Sequence, residues 1–131
     1  MTGGCHCGAI KLTLATKPEY VNDCNCSLCS NAGALWGYFA PTDLTVEGAT
    51  QHYRRVDRDQ PGVAIHFCAN CGATTHWLPE PHIPQTMVGA NMRLFDPANL
   101  LGVELRFPNG RDWDGLSDYG YLRSHLVIGA G

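Results

Sequence analysis

Apolar and polar residues alternate along much of this chain with the two-residue period of a half-buried strand. Ile10, Leu12 and Leu14 share one parity and Lys11 and Thr13 the other, so this run sets an apolar face on a core and a polar face toward water. Trp36, Tyr38 and Ala40 stand in the same way against Leu35 and Phe39. Together with residues 10–14, short runs at 34–40, 51–56, 63–67, 74–78, 86–90 and 103–107 are rich in β-branched and aromatic residues and bounded by Gly, Pro, Asp or Asn. They predict strands. Helical spacing nowhere persists beyond about three turns. Two short helices are expected: one after Cys26, with Ser27 as cap, and one after Asp96-Pro97, where the carboxylate caps and the proline takes the first helical position. The Gly-rich stretch after Trp113 defines no element. No repeat, low-complexity tract or linker interrupts the pattern, so residues 1–131 are expected to form one mainly β domain of antiparallel sheets with loop-borne sites.

Composition narrows the function classes. Hydrophobic residues make up 44% of the 131 and charged residues 16%, a globular balance that argues against disorder. The 15 Gly and 8 Pro imply many turns. A net charge of −3 without a basic run gives phosphates nothing to bind, so no nucleic-acid partner is expected. No apolar stretch approaches the roughly 18 residues of a membrane span. The start, Met1-Thr2-Gly3-Gly4-Cys5-His6, lacks the basic and apolar segments of a signal peptide. A cytoplasmic location away from membranes is the expectation.

The 7 cysteines change the picture. Disulfides are rare in a reducing cytoplasm, and an odd number of thiols cannot pair off within one chain, which points to metal binding or catalysis. They fall into three clusters: Cys5-His6-Cys7-Gly8, Cys24-Asn25-Cys26-Ser27-Leu28-Cys29 and Cys68-Ala69-Asn70-Cys71-Gly72. Thiolates two or three residues apart on a tight turn can reach one zinc ion, about 2.3 Å from each sulfur. Gly8 and Gly72 directly follow the second thiol of their pairs, where a residue without Cβ lets the backbone turn. Joining the middle trio intact to either pair would place five thiolates around one ion, too many for a tetrahedron. The two pairs therefore join each other. Cys5, Cys7, Cys68 and Cys71 make a closed structural site, and Cys24, Cys26 and Cys29 hold a second zinc with one corner left for water or substrate. The trio has two other readings: closure by one of the 6 histidines as a Cys3His structural site, or metal-free reactive thiols. A zinc held by three thiolates is a modest activator of water and is better suited to accept a substrate thiol as thiolate, which favours thiol chemistry.

These motifs resemble the glutathione-dependent formaldehyde-activating enzyme family, related to centromere protein V. The matching segments are Gly4-Cys5-His6-Cys7-Gly8, Cys24 to Cys29 with Gly33-Ala34, Phe67 to Gly72, and the later stretch Val88 to Asp96, within a similarity running from about Gly4 to Trp113. The resemblance implies a zinc β-tent fold of small antiparallel sheets, a structural zinc at Cys5, Cys7, Cys68 and Cys71, and a catalytic zinc at Cys24, Cys26 and Cys29. It also implies carbon–sulfur lyase or synthase chemistry that joins glutathione to formaldehyde as S-hydroxymethylglutathione. The implied partner is a small-molecule thiol adduct, with a homodimer as the default assembly. A rival reading is a non-enzymatic zinc module that binds a protein through two structural metals. Methionine sulfoxide reduction, on a related fold, expects a reactive cysteine late in the chain, and none follows Cys71.

Several further residues are candidates. Ser27 is either a donor to a sulfur or a helix cap. His66 and His76 are either acid–base groups, a fourth ligand for the trio, or structural. Arg93 and the group Arg54, Arg55 and Arg58 are either clamps for a substrate carboxylate or simple surface charges. Trp36, Tyr38, Phe39 and Trp113 are read as core.

Overall fold

The computed structural model describes residues 1–114 and 118–130. Every run read as a strand forms one: β2 (Lys11–Leu14), β4 (Trp36–Phe39), β6 (Thr50–Tyr53), β7 (Val63–Cys68), β8 (Thr74–Pro79), β9 (Val88–Asn91) and β10 (Glu104–Arg106). Four short strands join them: β1 (Thr2–Gly4), β3 (Tyr20–Asn22), β5 (Leu44–Glu47) and β11 (Leu126–Val127). A three-stranded sheet has the order β1-β2-β5, and an eight-stranded sheet the order β11-β10-β3-β4-β9-β8-β7-β6. Pairing is antiparallel except between β10 and β3, which run parallel.

Strand parity decides what each face buries. Ile10, Leu12 and Leu14 are almost fully buried, as their alternation requires, and they join Val21, Phe39, Val88, Ala90, Met92 and Phe95 in the larger core. On the opposite face of the large sheet, Trp36 and Ile65 are buried in a smaller cluster, with Tyr38 and Trp77 packed against it. The middle strands thus carry two cores: Phe39 of β4 points into one, Trp36 into the other.

One helix, α1 (Ser27–Ala32), follows the middle cysteines and lays Leu28, Cys29 and Ala32 on the smaller cluster. Its cap differs from the expectation. The sulfur of Cys26, not the hydroxyl of Ser27, accepts from the Cys29 amide, and Gly33 ends the helix at φ 64°. After Asp96 the chain forms a 3-10 turn, Pro97–Leu100, capped as expected by the Asp96 carboxylate on the Ala98 amide. Among the described residues, no helix is long and apolar enough to cross a membrane.

Candidate functional site: two thiol clusters and a cleft

Cys5 and Cys7 sit in the turn from β1 to β2, and Cys68 and Cys71 in the turn from β7 to β8. Both turns are built alike. The Gly8 amide donates to the Cys5 carbonyl at 3.1 Å and the Gly72 amide to the Cys68 carbonyl at 2.8 Å. The two glycines have φ values of 82° and 79°, in the left-handed region that side chains avoid. Each turn also aims an amide at a sulfur: Ile10 N lies 3.2 Å from Cys5 Sγ and Asn70 N 3.4 Å from Cys68 Sγ.

The four sulfurs converge within 4.8 Å of one another, with Cys7 Sγ 3.6 Å from both Cys5 Sγ and Cys68 Sγ. Sulfurs at about 2.3 Å from a tetrahedral zinc stand about 3.8 Å apart, so this spacing suits such an ion. The Ala73 and Cys7 amides hold the Cys71 thiol down to about 6. Hydrogen bonding by the Asn70 side chain and the Ala9 amide lowers Cys7 as well. Both effects favour the thiolates that bind metal.

The second cluster, Cys24, Cys26 and Cys29, is half-buried, its sulfurs again within 4.8 Å of one another. Cys24 follows β3, and the other two flank the start of α1. The Cys26 amide points at Cys24 Sγ at 3.4 Å and the Cys29 amide at Cys26 Sγ at 3.3 Å. The sulfurs titrate as a unit: contacts with Cys24 and Cys29 hold Cys26 far below the ordinary thiol range. The contact with Cys26 pushes Cys24 up, and contacts with Cys24 and Cys26 push Cys29 up. A bound cation would favour the thiolate form of all three. Among the described residues no histidine, aspartate or glutamate joins either cluster.

A segment absent from the sequence reading completes the trio's surroundings. The 3-10 turn Gly110–Asp112 lies against it, and a Cβ built on Gly110 would stand 2.6 Å from Cys24 Sγ and 3.4 Å from Cys26 Cβ. Asn25 ties this turn down. Its Nδ2 donates to Asn109 Oδ1, and its Oδ1 accepts from the Arg111 amide, both at 2.9 Å. The legible signal was the Asn109-Gly110 dipeptide, a turn former.

Cys24 and Cys29 open onto a cleft of about 470 Å³, walled by Trp36, Tyr38, Ile65, Trp77 and Trp113 among others. Gly89 gives the Trp77 indole its place, since any Cβ there would collide with the ring. This corrects the reading of Tyr38 and Trp113 as core, while Trp36 and Phe39 are core as read. Phe39 is core, Trp36 is buried but faces the cleft, and Tyr38 is half-buried in the wall. Trp113 is 40% exposed at the cleft. Burial pushes the Tyr38 phenol up, so it stays protonated.

Of the other candidates the histidines separate from the site, while Arg55 stays within electrostatic reach of Cys26 and Cys29. His66 and His76 are cross-strand partners stacked at 4.5 Å on the face opposite Ile65 and Trp77. Each has Nδ1 2.8 Å from a threonine hydroxyl, Thr50 for His66 and Thr75 for His76. Arg54 pairs with Glu80 and Arg55 with Asp57. Ser27 meets Arg55 and Asp57 and touches no sulfur. Arg58 is exposed. Arg93 lines a mixed groove that also reaches Cys24 and Cys29.

This β fold with paired thiol clusters matches known proteins. The profile of the glutathione-dependent formaldehyde-activating enzyme family matches residues 1–102, and the chain belongs to that family. A Halomonas elongata protein, provisionally described as a glutathione-dependent formaldehyde-activating enzyme, is 28% identical over 94 residues. That match takes in 65% of this chain and 59% of the relative, so the chain spans little more than half the relative's length. The crystal structure of a Rhodobacter sphaeroides protein superposes with a TM-score of 0.61 at 30% identity, covering 79% of this chain and 97% of the other.

Proposed function

We propose that the chain is a zinc-dependent carbon–sulfur lyase or synthase acting on a glutathione-type thiol adduct of formaldehyde or a related small carbonyl compound. Cys5, Cys7, Cys68 and Cys71 would hold a closed structural zinc, and Cys24, Cys26 and Cys29 a catalytic one. The observation that carries the reading is the convergence of three thiols, two of which line a cleft, with no fourth protein ligand among the described residues. A purely structural site would close that corner. Family membership supports the glutathione thiol as partner.

Bound at the trio, zinc supplies a cationic corner that favours a substrate sulfur as thiolate. The chain's own residues do the rest. Amides of Cys26 and Cys29 point at two of the sulfurs and fix their positions. Gly110 leaves Cys24 Sγ room to face the cleft, and Asn25 holds that turn in place. Trp36, Trp77 and Ile65 wall the cleft and exclude water from a reacting carbon.

The test is adduct formation from glutathione and formaldehyde by purified protein, wild type against Cys26→Ser and Cys68→Ser. Cys26→Ser should abolish turnover while the thermal melt persists, and Cys68→Ser should remove the cooperative melt. Melting of both variants alike would make both sites structural and overturn the proposal.

A further inference from the structure

Different chemistry flanks the trio on its two sides. Cys24 and Cys29 also line a groove of about 430 Å³ that carries Asp23, Asn25, Ser30 and Arg93 beside Phe107 and Leu122. Arg93 forms no ion pair among the described residues. Among the described residues the cleft on the other side has no Asp, Glu, Lys, Arg or His in its wall, and all 3 tryptophans of the chain line it. Besides the thiols, Asn22 and three tyrosines, Tyr20, Tyr38 and Tyr119, are the polar residues of that wall among the described residues. Asn22 Nδ2 donates to the Tyr38 oxygen at 2.9 Å, which leaves the phenolic proton free to be donated. Asn22 is 4% exposed, and its Oδ1 is buried without a hydrogen-bond partner. An unmet buried acceptor is costly, and it marks a place where a donor belongs.

A charged tripeptide thiol would have to strip its carboxylates of water to enter such a cleft, and among the described residues no lysine or arginine lines it to receive them. A formaldehyde unit would leave most of the 470 Å³ unfilled. Resting on the reading of the trio as a site for thiol–carbonyl adducts, we propose that the cleft binds the carbonyl-derived half of the adduct. That half bears an aryl or comparably bulky apolar substituent, and its oxygen is read by Tyr38 and Asn22. The charged thiol carrier stays on the groove side, where Arg93 can meet a carboxylate. In the step itself the S–H bond and the carbonyl π bond break, and C–S and O–H bonds form. The product is a hemithioacetal, with no net oxidation or reduction. The new hydroxyl is at once donor and acceptor, which complements a phenol free to donate beside an amide oxygen that lacks a donor.

The tryptophans report binding without turnover. The protein as purified is titrated with benzyl alcohol, with toluene and with methanol, in wild type and Tyr38→Phe, and tryptophan emission is followed. Benzyl alcohol should give a saturable change and methanol none at equal concentration. Tyr38→Phe should weaken benzyl alcohol about fivefold to tenfold and leave toluene unaffected. Because Tyr38→Phe removes a half-buried hydrogen bond, Met87→Glu serves as a second variant. Met87 lines the cleft and is 45% exposed, so the added charge should lower benzyl alcohol affinity several-fold with the fold intact.

In parallel, benzaldehyde and formaldehyde are each assayed with glutathione, and kcat/KM should favour benzaldehyde by more than tenfold. Turnover of formaldehyde with no saturable response to benzyl alcohol would overturn this inference and leave the carbon–sulfur reading standing. Benzyl alcohol binding that depends on Tyr38, without turnover of either aldehyde, would uphold the ligand class and overturn the carbon–sulfur reading instead.

Discussion

Substituting Gly110 by alanine is a narrow test of how the trio is built. The backbone of Gly110 lies outside the left-handed region, so alanine adopts it without strain, and the added methyl is the whole perturbation. That methyl would stand 2.6 Å from Cys24 Sγ. A carbon and a sulfur in ordinary contact are about 3.5–4 Å apart, so one of them must retreat by about 1 Å. Metal–sulfur distances tolerate only about 0.2 Å of error. Displaced by that much, Cys24 no longer completes the ligand set, and metal affinity at the trio should fall by about 100-fold, or about 2.7 kcal/mol. The assay is metal content per chain combined with competition against a chromophoric chelator. Gly110→Ala should lose the trio's metal at chelator concentrations that wild type survives, with the melting temperature shifted by no more than a few degrees. Gly120→Ala is the matched control, since a Cβ there meets nothing within 4 Å. If Gly110→Ala keeps its metal as tightly as Gly120→Ala, the trio is not the metal site described.

Other consequences concern stability, pH and the supporting turn. Leu12 is fully buried in the larger core, so Leu12→Ala should cost about 2–5 kcal/mol in denaturant melts. Burial, with the neighbouring His66 adding to it, depresses His76 from 6.5 to about 4. The unfolded chain takes up this proton near pH 6.5 and the folded one only near pH 4. The contribution is therefore complete above pH 6.5 and lost as pH falls toward 4, about 3 kcal/mol in all at about 1.4 kcal/mol per unit. His76→Gln should flatten that limb of the stability profile, and a limb of unchanged depth would show that His76 does not set it. Asn25→Ala removes the bonds to Asn109 and the Arg111 amide, and it should weaken the trio's metal roughly tenfold, read by the same chelator competition.

Much of this architecture was written in the local pattern, and the parts that were not share a physical reason. Residues 10–14 announced their strand because one face is fully buried and the other is wet. Strands β1, β3 and β11 have only two or three residues each. They exist because neighbouring strands offer hydrogen-bonding edges, which no periodicity records. The cysteine spacing foretold both clusters because the ligand count of a tetrahedral ion constrains how three groups of thiols can be divided. What spacing could not supply was the long-range setting. Gly110 reaches Cys24 through the parallel pairing of β10 with β3. The histidines next to the third cluster in sequence lie on the wrong face of β7 and β8 to reach the trio. Of the arginines that offered themselves as substrate clamps, Arg54 is held by Glu80 and Arg55 by Asp57 near the trio, and Arg93 lines the groove that reaches the thiols. The aromatic residues of β4 were legible as strand but not as cleft, because the role of Tyr38 depends on Gly89 leaving space for Trp77 across the sheet.

The central claim is that the thiols divide into a closed set of four and an open set of three. Zinc per chain in protein purified without chelator, measured with the number of thiols that react before and after the metal is stripped, tests it directly. The expected result is two zinc ions per chain, one of them lost readily to a mild chelator or displaced by added glutathione, with three thiols unmasked as it leaves. One tightly held zinc beside three freely reactive thiols would contradict it and would remove the physical basis for carbon–sulfur chemistry at the trio.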